Sequence, residues 1–523
     1  MARNIVIFIA GLTIMTWLSP AVRAASDEVP PSCLAAFGDV WGEAEAAVSK
    51  QYIDGSMLKT PADFMRETHA LRRGLKIIKG GDFSGWDFSQ IPLGNVCFYE
   101  SELTGSSFSG ATSSGIGFIN SNLSESNLSH VRMPKILLRN ANLTNVAAQN
   151  ADFSGGHFDG GWFEGSVEGW NIDGADMTGF VFDCGITVPD GCPVYQGGAA
   201  ISAKGTDFTR ATLHSFRLHN IILSGAILDQ TIVGPAQLPD LAKAAFRGDI
   251  VLRGGGSDVR LTADEAQKLI AENTRQRAVE ANPSFDCAKA ATKVELEICG
   301  EYASDLRSAD RDIAALYQRA KGVDSGVKAS QRAWLKQRNL CGKVEYPADC
   351  IRESYSLRKG QLLGLSGERQ WLARGEAALF IDDLLPLPAS SIGPELFAKI
   401  TPALVGASMT EILIGRGQDG LYAIKGSAVG ANAHLCSIDA SQLHFDQASG
   451  WYVPVSEGAA IPIFRILDDR LEIFASGRPD YEKYPEASDF MGCGMRASLG
   501  ETVRINVSDE LMESYRKSLN EEM

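Results

Sequence analysis

A five-residue rhythm of large apolar side chains dominates residues 83–163. Fifteen of the 17 positions reached by stepping five residues at a time from Phe83 to Phe163 are large and apolar. Small or β-branched residues stand two positions before most of these centres, and Ser, Asn, Asp, Gly and Thr fill most other positions. Neither a helix, with a period of about 3.6 residues, nor a simple strand, with a period of about 2, keeps one face through such a rhythm. The pattern predicts a coil of short sides separated by turns.

Two inward-facing positions in every five residues build one side of this coil, and a turn starts the next side. Four sides make a coil of about 20 residues, and stacked coils bury a column of Leu and Phe side chains. Backbone groups of successive coils then pair at about 4.8 Å. Because each coil contacts only its neighbours, residues 81–235 are predicted to form a solenoid.

The repeat contains one slip and one interruption. It moves by one residue after Phe163 and continues to Phe182. The segment between Cys184 and Cys192 interrupts it, and we expect these two cysteines to close that loop with a disulfide. The rhythm resumes at Phe208, Leu213, Leu218, Leu223, Leu228 and Val233.

Two copies of the repeat are especially regular, Ala141-Asn142-Leu143-Thr144 and Ala151-Asp152-Phe153-Ser154. These motifs resemble the pentapeptide-repeat family, and the resemblance extends over roughly 81–235. It implies a right-handed, four-sided β-helix. It implies no particular function, because one fold serves many functions.

Helices are predicted to close both ends of the solenoid. Residues 25–80 are interpreted as a helical N-terminal cap, with a helix over residues 64–78. Cys33 in this cap is available to bond with Cys97 in the first coil. At the other end, residues 238–246 are expected to form a short closing helix.

A linker and a helix are expected over residues 236–282. The Gly-rich stretch Arg253–Asp258 is the clearest linker signal in the chain. Thr262 and Glu265 then form a capping box, which predicts a helix that ends at about Val279.

Residues 283–367 have the pattern of a small helical module. A second capping box, Thr292 with Glu295, precedes apolar residues spaced four and three apart, which is typical of the buried stripe of a helix. This stripe consists of Tyr302, Leu306, Ala309, Ile313, Leu316 and Ala320. Further helices are expected over residues 327–340 and 347–362, so we predict a three-helix bundle.

Four cysteines lie in this module: Cys287, Cys299, Cys341 and Cys350. If the helices alternate in direction, all four fall at one end of the bundle. Two disulfides there would brace a core that is too small to be very stable alone. Four cysteines allow three connectivities, and the sequence does not choose among them.

Several motifs around these cysteines occur together in a known family. They are Phe285-Asp286-Cys287, Glu295-x-x-Ile298-Cys299, Gln331-Arg332-Ala333-Trp334-Leu335, Arg338-Asn339-x-Cys341 and Tyr355-x-x-Arg358. The combination resembles the LprI-type lysozyme-inhibitor domain over about 285–365. The resemblance implies a small secreted helical module associated with inhibiting lysozyme. The alternative is a disulfide-stapled helical spacer.

Trp334 and Arg338 are the candidate interface residues of this module. They stand one helical turn apart, and both residue types are enriched among the residues that dominate protein interfaces. The competing interpretation, which we favour for Trp334, is a core side chain beside a helix cap.

Residues 376–523 are predicted to form a small β-rich domain, either a sandwich or a barrel. Residues 407–414 and 421–424 have the composition of strands, and residues 464–474 that of a hairpin turning at Asp468-Asp469. Cys436 and Cys493 are the only cysteines of this region and are expected to pair.

The N-terminus has the layout of a secretory signal peptide. Arg3 precedes an apolar run from Ile5 to Leu18, and small residues surround an expected cleavage point after Ala24. The run is shorter than the about 20 residues of a membrane-spanning helix, and no cysteine follows it to form a lipobox. Residues 1–24 are therefore assigned as a signal peptide of a periplasmic or secreted protein.

All ten cysteines follow that cleavage point, and an even number in an exported chain indicates disulfides. Together these patterns predict a multidomain α+β protein in which a β-helix solenoid precedes a disulfide-braced helical bundle and a small β-rich domain.

Charge excludes one class of partner. The chain carries a formal net charge of −15, whereas DNA affinity depends on Lys and Arg that neutralise phosphates. We therefore expect no nucleic-acid partner. Charge is also uneven, with 15 acidic and six basic residues over 81–235 but 11 acidic and 14 basic residues over 285–365.

No catalytic, cofactor-binding or metal-binding residue is assigned from the sequence. The seven histidines do not stand at metal-ligand spacing with Cys or carboxylates. Gly415, Gly417 and Gly420 match the spacing of a dinucleotide fingerprint, but a strand follows them where the fingerprint needs a helix. We predict a hairpin turn there, no cofactor, and no enzymatic activity.

These expectations favour an exported protein that binds lysozyme or another wall-active enzyme. A structural or adhesive envelope protein that uses the solenoid as a rod is the alternative. A third hypothesis, mimicry of DNA by acidic solenoid faces, conflicts with the signal peptide because its target would be cytoplasmic.

Overall fold

The computed structural model of the chain describes most residues beyond position 51. The described residues are 33, 52–70, 75–160, 162–182, 200–214, 218, 221–368, 371–387, 389–430, 434–455, 460–475, 478, 480–494, 499 and 502–520. The predicted signal peptide and the predicted Cys184–Cys192 disulfide lie outside them.

A solenoid of short strands forms the first half of the molecule. Its strands are β1 Ile53–Asp54, β2 Lys76–Lys79, β3 Val96–Tyr99, β4 Gly117–Ile119, β5 Leu137–Arg139, β6 Asn142–Ala147, β7 His157–Asp159, β8 Trp162–Ser166, β9 Val181–Phe182, β10 Ile201–Ser202, β11 Ile221–Ile222, β12 Ile227–Leu228, β13 Ile232–Val233 and β14 Ala245–Phe246. Strands β1, β2, β3, β4, β5 and β7 form one parallel sheet, and β6, β8 and β9 form another.

Two regular intervals organise the solenoid. Parallel pairing joins residues 20 positions apart, so that Phe98 pairs with Phe118 and Phe118 with Leu138. The backbone enters the left-handed region at every fifth residue from Asn95 to Gly160. Stacked β-coils are therefore present as predicted, while the four-sided, right-handed cross-section remains a prediction.

Short polar side chains explain how ordinary residues make these turns. The Asn122 carboxamide oxygen accepts a hydrogen bond from the Ser124 backbone N–H at 3.1 Å, and Asp152 does the same for Ser154 at 3.1 Å. Asn and Asp favour such local turns because their side chains bond to the backbone two residues on. The polar positions of the repeat therefore specify its turns, as its apolar positions specify its core.

The predicted slip and interruption both appear in the strand pairing. Asp152 pairs with Asn171, and His157 with Asp176, at a separation of 19 residues instead of 20. Asn171 then pairs with Ser202, 31 positions on, so the interruption sits between complete coils. The stack closes over an insertion without losing its register.

The centre of the solenoid is apolar throughout. Every residue of the five-residue rhythm from Phe83 to Phe163 is buried, including Ser113, whose hydroxyl donates to the Leu93 carbonyl oxygen at 2.8 Å. Phenylalanines of successive coils stack nearly parallel, with Phe98 and Phe118 ring centres 5.3 Å apart. Among the described residues, this column is part of the largest apolar core.

The N-terminal cap is only partly helical. Helix α1, Pro61–Ala70, begins three residues before the predicted helix and overlaps its first half, but the prediction of helix as far as residue 78 is wrong. Lys76–Lys79 is strand β2, because Ile77 and Ile78 pair with Cys97 and Phe98 and extend the parallel sheet by one coil. The predicted disulfide between Cys33 and Cys97 is present.

A hairpin, not a flexible linker, follows the solenoid. A 3₁₀ helix covers Pro235–Lys243, and residues 245–246 form strand β14 where the closing helix was predicted. Strands β15 Ile250–Gly254 and β16 Ser257–Leu261 then pair antiparallel, and β15 also pairs with β13. The prediction of a linker was wrong because Gly255 and Gly256 adopt the positive φ angles of a tight turn.

The second half of the described chain contains eight helices. They are α2 Ala263–Glu280, α3 Lys293–Ile298, α4 Ser304–Ala320, α5 Val327–Arg338, α6 Pro347–Ser366, α7 Ala389–Ile392, α8 Pro394–Ala407 and α9 Asp509–Asn520. Thr262 and Thr292 cap α2 and α3 through the predicted capping boxes. Residues 285–366, called the helical module below, contain α3 to α6 and the core between them. The three-helix bundle remains a prediction.

The C-terminal strands close into a small antiparallel barrel. They are β17 Ala377–Asp382, β18 Thr410–Arg416, β19 Tyr422–Val429, β20 Leu435–Asp446, β21 Trp451–Pro454, β22 Phe464–Leu467, β23 Arg470–Ile473, β24 Met491–Cys493 and β25 Thr502–Ile505. Strand order runs β19-β18-β17-β25-β23-β22-β21-β20, and β20 pairs back with β19. Both predicted turns are present, one between β18 and β19 and one at Asp468-Asp469.

Helix α8, which the sequence analysis missed, joins the barrel to the solenoid. The Gly254 backbone approaches the carbonyl of Ala403 so closely that a β-carbon there would lie 1.9 Å from that oxygen. Ile400 and Ala403 of α8 belong to the same apolar core as the solenoid column. The three regions are therefore packed together rather than strung on linkers.

Candidate functional site

The predicted interface pair lies mostly inside the helical module. Arg338 is 6% exposed, and its guanidinium lies 5.5 Å from the Trp334 ring centre. It donates to the Tyr355 hydroxyl at 3.3 Å and to the Asn339 carboxamide oxygen at 2.9 Å. Trp334 is half-buried, and its indole N–H donates to the Ser354 hydroxyl at 3.1 Å. This placement agrees with the core interpretation, and it excludes Arg338 as an exposed anchor because its donors already have internal partners.

The cysteines of the module pair with their nearest neighbours in sequence. Disulfides join Cys287 to Cys299 and Cys341 to Cys350. Cys341 packs in one core with Val294 and Ile298 of α3. Both disulfides therefore brace the same end of the module.

That braced end displays an unusual set of apolar side chains. Five exposed residues, called the disulfide-end patch below, flank the two disulfides: Leu296 at 58%, Tyr302 at 90%, Leu340 at 54%, Val344 at 44% and Tyr346 at 67% exposure. The helical module as a whole carries nine of the 16 large exposed apolar side chains among the described residues. Large apolar groups concentrated on one exposed region often mark an interaction site.

The spacing of apolar residues along the sequence did not predict the patch. Tyr302 was predicted to be a core residue, but α4 begins only at Ser304, so Tyr302 precedes the helix and points to solvent. Leu340 and Val344 lie in or directly after the 3₁₀ helix Asn339–Lys343. No signal in the sequence sets these residues apart, because only Val344, Tyr346 and Ala348 of the eight residues between Cys341 and Cys350 are apolar.

The backbone below the patch is held in place. The Cys341–Cys350 disulfide joins two cysteines nine positions apart and closes a short loop that contains Val344 and Tyr346. Gly342 packs on α3, where a β-carbon would come within 3.3 Å of the Lys293 β-carbon. Exposed side chains on such a braced loop lose less conformational entropy on binding than side chains on a mobile loop.

Buried charges fix the module to the barrel. The Glu472 carboxylate of β23 accepts from Lys359 of α6 at 2.8 Å, from Arg465 of β22 at 2.6 and 2.9 Å, and from Arg478 at 2.6 Å. Burial alone would raise the pKa of Glu472, but Arg465, Lys359 and Arg478 hold that pKa well below its usual range. The Arg465 guanidinium also lies 4.3 Å from the Trp451 ring centre.

This buried contact means that the module does not stand alone. Lys359 and Arg465 are at most 5% exposed, and Arg465 donates to the Ser356 carbonyl oxygen of α6 at 3.1 Å. Separating the module from the barrel would leave several desolvated charges without partners, which is strongly unfavourable. The barrel therefore serves as a rigid base for the patch.

Two further features of the described residues bear on the site. No group of three or more His, Cys, Asp or Glu side chains there is arranged to hold a metal ion. None of the described helices combines the length and the hydrophobicity that crossing a bilayer requires.

Comparison with known proteins identifies the repeat. A family model described as pentapeptide repeats matches residues 121–160 with eight copies. The chain thus carries pentapeptide repeats, as predicted. No curated protein matches the chain.

Solved structures of pentapeptide-repeat proteins resemble part of the chain. A pentapeptide repeat protein from the thylakoid lumen of Arabidopsis thaliana is 33% identical over 18% of this chain and 65% of its own length, with a TM-score of 0.15. HetL, involved in heterocyst differentiation regulation in the cyanobacterium Nostoc sp. strain PCC 7120, is 19% identical over 33% of this chain and 90% of its own, with a TM-score of 0.14.

The full-length plasmid-mediated fluoroquinolone resistance protein QnrB1 is a third similar structure. It is 14% identical over 31% of this chain and 86% of its own, with a TM-score of 0.13. The fold that carries these repeats is consistent with a scaffold for protein–protein binding. The four disulfides of the described residues are consistent with a protein outside the cytosol.

Proposed function

We propose that this chain is an exported, non-enzymatic binding protein that blocks a wall-active enzyme, with lysozyme as the first candidate, by protein–protein contact. The disulfide-end patch carries this proposal. Its five apolar side chains are between 44% and 90% exposed, although each would gain free energy by leaving water. A partner surface that covers them supplies that gain.

The composition of the patch favours a specific protein contact over non-specific hydrophobic association. Tyr302 and Tyr346 are its most exposed members, and tyrosine combines a large apolar face with a hydroxyl that bonds at the rim of an interface. Lys343 and Glu345 alternate with Val344 and Tyr346 on the same exposed loop. Such mixed patches, with an apolar centre and a polar rim, are typical of interfaces that form and dissociate.

The two halves of the molecule would act at different distances. Residues 81–235 carry 15 acidic and six basic residues, so the solenoid attracts a basic protein over a range of about 10 Å at moderate salt. Animal-type lysozymes are basic. The helical module carries 14 basic and 11 acidic residues over 285–365, so its contact with such an enzyme depends on apolar burial rather than on charge.

In this proposal the solenoid is a stiff, four-sided, right-handed rod that carries a three-helix bundle at one end. Pairing from β1 to β15 is continuous in the described part of the chain apart from the insertion, which supports stiffness.

A turnover assay tests the proposal. The chain from residue 25 onward is titrated against animal, invertebrate and bacterial-type lysozymes, and residual activity is followed against molar ratio. We expect stoichiometric inhibition of at least one type. The double variant Leu340→Asp with Tyr346→Asp should raise the inhibition constant by at least about 30-fold, because loss of even one central interface residue costs about 2 kcal/mol.

Leu365→Asp is the matched control. Leu365 is also an exposed leucine of the module, at 40% exposure, but it lies at the opposite end of α6, about 27 Å from the patch along the helix. The Leu365→Asp variant should inhibit lysozyme with the same inhibition constant as the parent chain. Equal inhibition by the parent and the double variant would reject the patch, and absence of inhibition for all three lysozyme types would reject lysozyme and leave the scaffold alternative.

A further inference from the structure

A cleft between the helical module and the barrel is separate from the disulfide-end patch. It encloses about 820 Å³, within the range of about 300–1,000 Å³ that small-molecule sites occupy. Leu316 of α4 and Leu363 of α6 form one wall, and Phe445, Tyr452 and Ile466 of the barrel form the other. Both walls are held by the buried charges around Glu472, so the cleft is a built feature of the fold.

The polar groups of the cleft are few and unequal. Arg319 of α4 and Asp468 of the β22–β23 turn form an ion pair at 2.9 Å across the cleft and neutralise each other. Asp469 is exposed and therefore solvated. Arg504 of β25 differs, because it is half-buried and, among the described residues, no carboxylate oxygen lies within 4 Å of its guanidinium.

The Arg504 guanidinium contacts Trp371. Its Nη1 donates to the Trp371 carbonyl oxygen at 3.3 Å, and its guanidinium lies 5.9 Å from the Trp371 ring centre. These contacts use part of the five-donor guanidinium. A half-buried cation with unused donors has more to gain from an anion than a solvated carboxylate has from a cation.

We infer that this cleft binds an amphipathic organic anion, with an apolar body against Leu363, Phe445 and Ile466 and its acidic group at Arg504. The apolar walls determine affinity, and Arg504 discriminates a carboxylate from a neutral polar group. This inference is independent of the proposed function, because it uses no residue of the disulfide-end patch.

Decanoate and 1-decanol test the inference as matched probes of one chain length. Each displaces 1-anilinonaphthalene-8-sulfonate from the full chain, and the fluorescence loss gives its dissociation constant. We expect decanoate to bind at least about 10-fold more tightly than 1-decanol, since a charge-assisted hydrogen bond contributes about 1.5–3 kcal/mol. Arg504→Gln should remove this preference and leave 1-decanol within about 2-fold of its parent value.

Two other variants keep the test decisive. Arg374→Gln removes another barrel arginine that donates to a backbone carbonyl, on Gln418, but lies outside the cleft, and it should leave decanoate binding unchanged. Ser366→Trp places a bulky side chain on the wall of the cleft and should weaken both probes, which locates the site even if Arg504→Gln does not fold. Equal affinity of the parent chain for both probes, unchanged decanoate binding in folded Arg504→Gln, or failure of both probes to bind would overturn the inference.

Discussion

The solenoid and the helical module differ in how completely they bury their apolar side chains. The solenoid buries its apolar residues almost completely, and over the described part of residues 81–235 Ile222, at 39% exposure, is the only large apolar side chain that is exposed. The module exposes nine such side chains on a much shorter segment. Because the solenoid buries its apolar side chains within its own core, it has little apolar surface that a partner could cover. The module has more exposed apolar surface available for such a contact.

The two regions also keep their shape by different means. Coils of the solenoid are joined by parallel backbone bonds and stacked aromatic rings, such as Phe88 on Phe108 at 4.7 Å. The module depends on two disulfides and on buried charges shared with the barrel. Stiffness is therefore the contribution of the solenoid, and contact with a partner that of the module.

Phe118→Ala should be the most damaging of these substitutions. Phe118 is fully buried and contacts Phe98 and Phe108, so its removal leaves a cavity in a column that every neighbouring coil shares. We expect the free energy of unfolding to fall by about 3–5 kcal/mol in denaturant titrations. Ile222→Ala, at an exposed solenoid position, should change it by less than about 0.5 kcal/mol. Similar losses in both variants would mean that the column is not the basis of solenoid stability.

Glu472→Gln should destabilise the module and barrel while sparing the solenoid. The substitution leaves Lys359, Arg465 and Arg478 buried without their common carboxylate, and loss of one partner of a buried pair costs about 3 kcal/mol or more. Calorimetry should show one transition shifted downward and a second unchanged. A uniform shift of the whole profile would contradict the division into two units.

Low pH should reduce the difference in unfolding free energy between the parent chain and Glu472→Gln. The folded pKa of Glu472 is held below that of the unfolded chain, so its stabilising effect is complete above about pH 4.5 and is lost as the pH falls through the folded value. The stability gap between the parent chain and Glu472→Gln should therefore narrow below about pH 4. A gap that stays constant between pH 7 and pH 3 would show that folding does not lower the pKa of Glu472.

Removing the Cys341–Cys350 disulfide should lower the free energy of unfolding less than the two substitutions above, but it should also weaken binding of the partner. Replacing both cysteines by serine frees a short loop, for which chain entropy predicts a loss of about 2–3 kcal/mol. Inhibition by this variant should weaken because Val344 and Tyr346 are no longer held in place. If inhibition persists at the parent level while the stability falls, rigidity of the loop is not needed for contact.

Lys483→Gln should change least. Lys483 and Glu353 form an ion pair between the barrel and α6 with both side chains more than a third exposed, and such surface pairs contribute at most about 1 kcal/mol. The small loss should disappear in high salt. A larger, salt-independent loss would indicate that exposed as well as buried pairs hold the two units together.

The sequence predicts the solenoid far better than the rest because one short-range rule repeats there many times. The rhythm from Phe83 to Phe163 locates the core, and even the slip and the insertion between Phe163 and Phe208 are visible as changes of spacing. The repeat pattern does not predict the N-terminal end of the solenoid, because Lys76–Lys79 forms strand β2 only by pairing with β3.

The candidate site depends on contacts that no local pattern carries. Lys359 and Glu472 are 113 residues apart, and nothing near either residue indicates that they meet in the interior. Tyr302 matched a helical stripe and is nevertheless the most exposed member of the patch, because the helix begins two residues later. Exposure of apolar groups is a property of the folded surface and was therefore outside the reach of spacing arguments.

Hydrogen exchange of the full chain, measured alone and with an excess of each of the three lysozyme types, tests the division of roles most directly. The account predicts that at least one lysozyme slows exchange at residues 293–302 and 339–346, while the backbone of the solenoid keeps the protection it already had. Slowed exchange confined to the solenoid, or no change with any of the three enzymes, would contradict it.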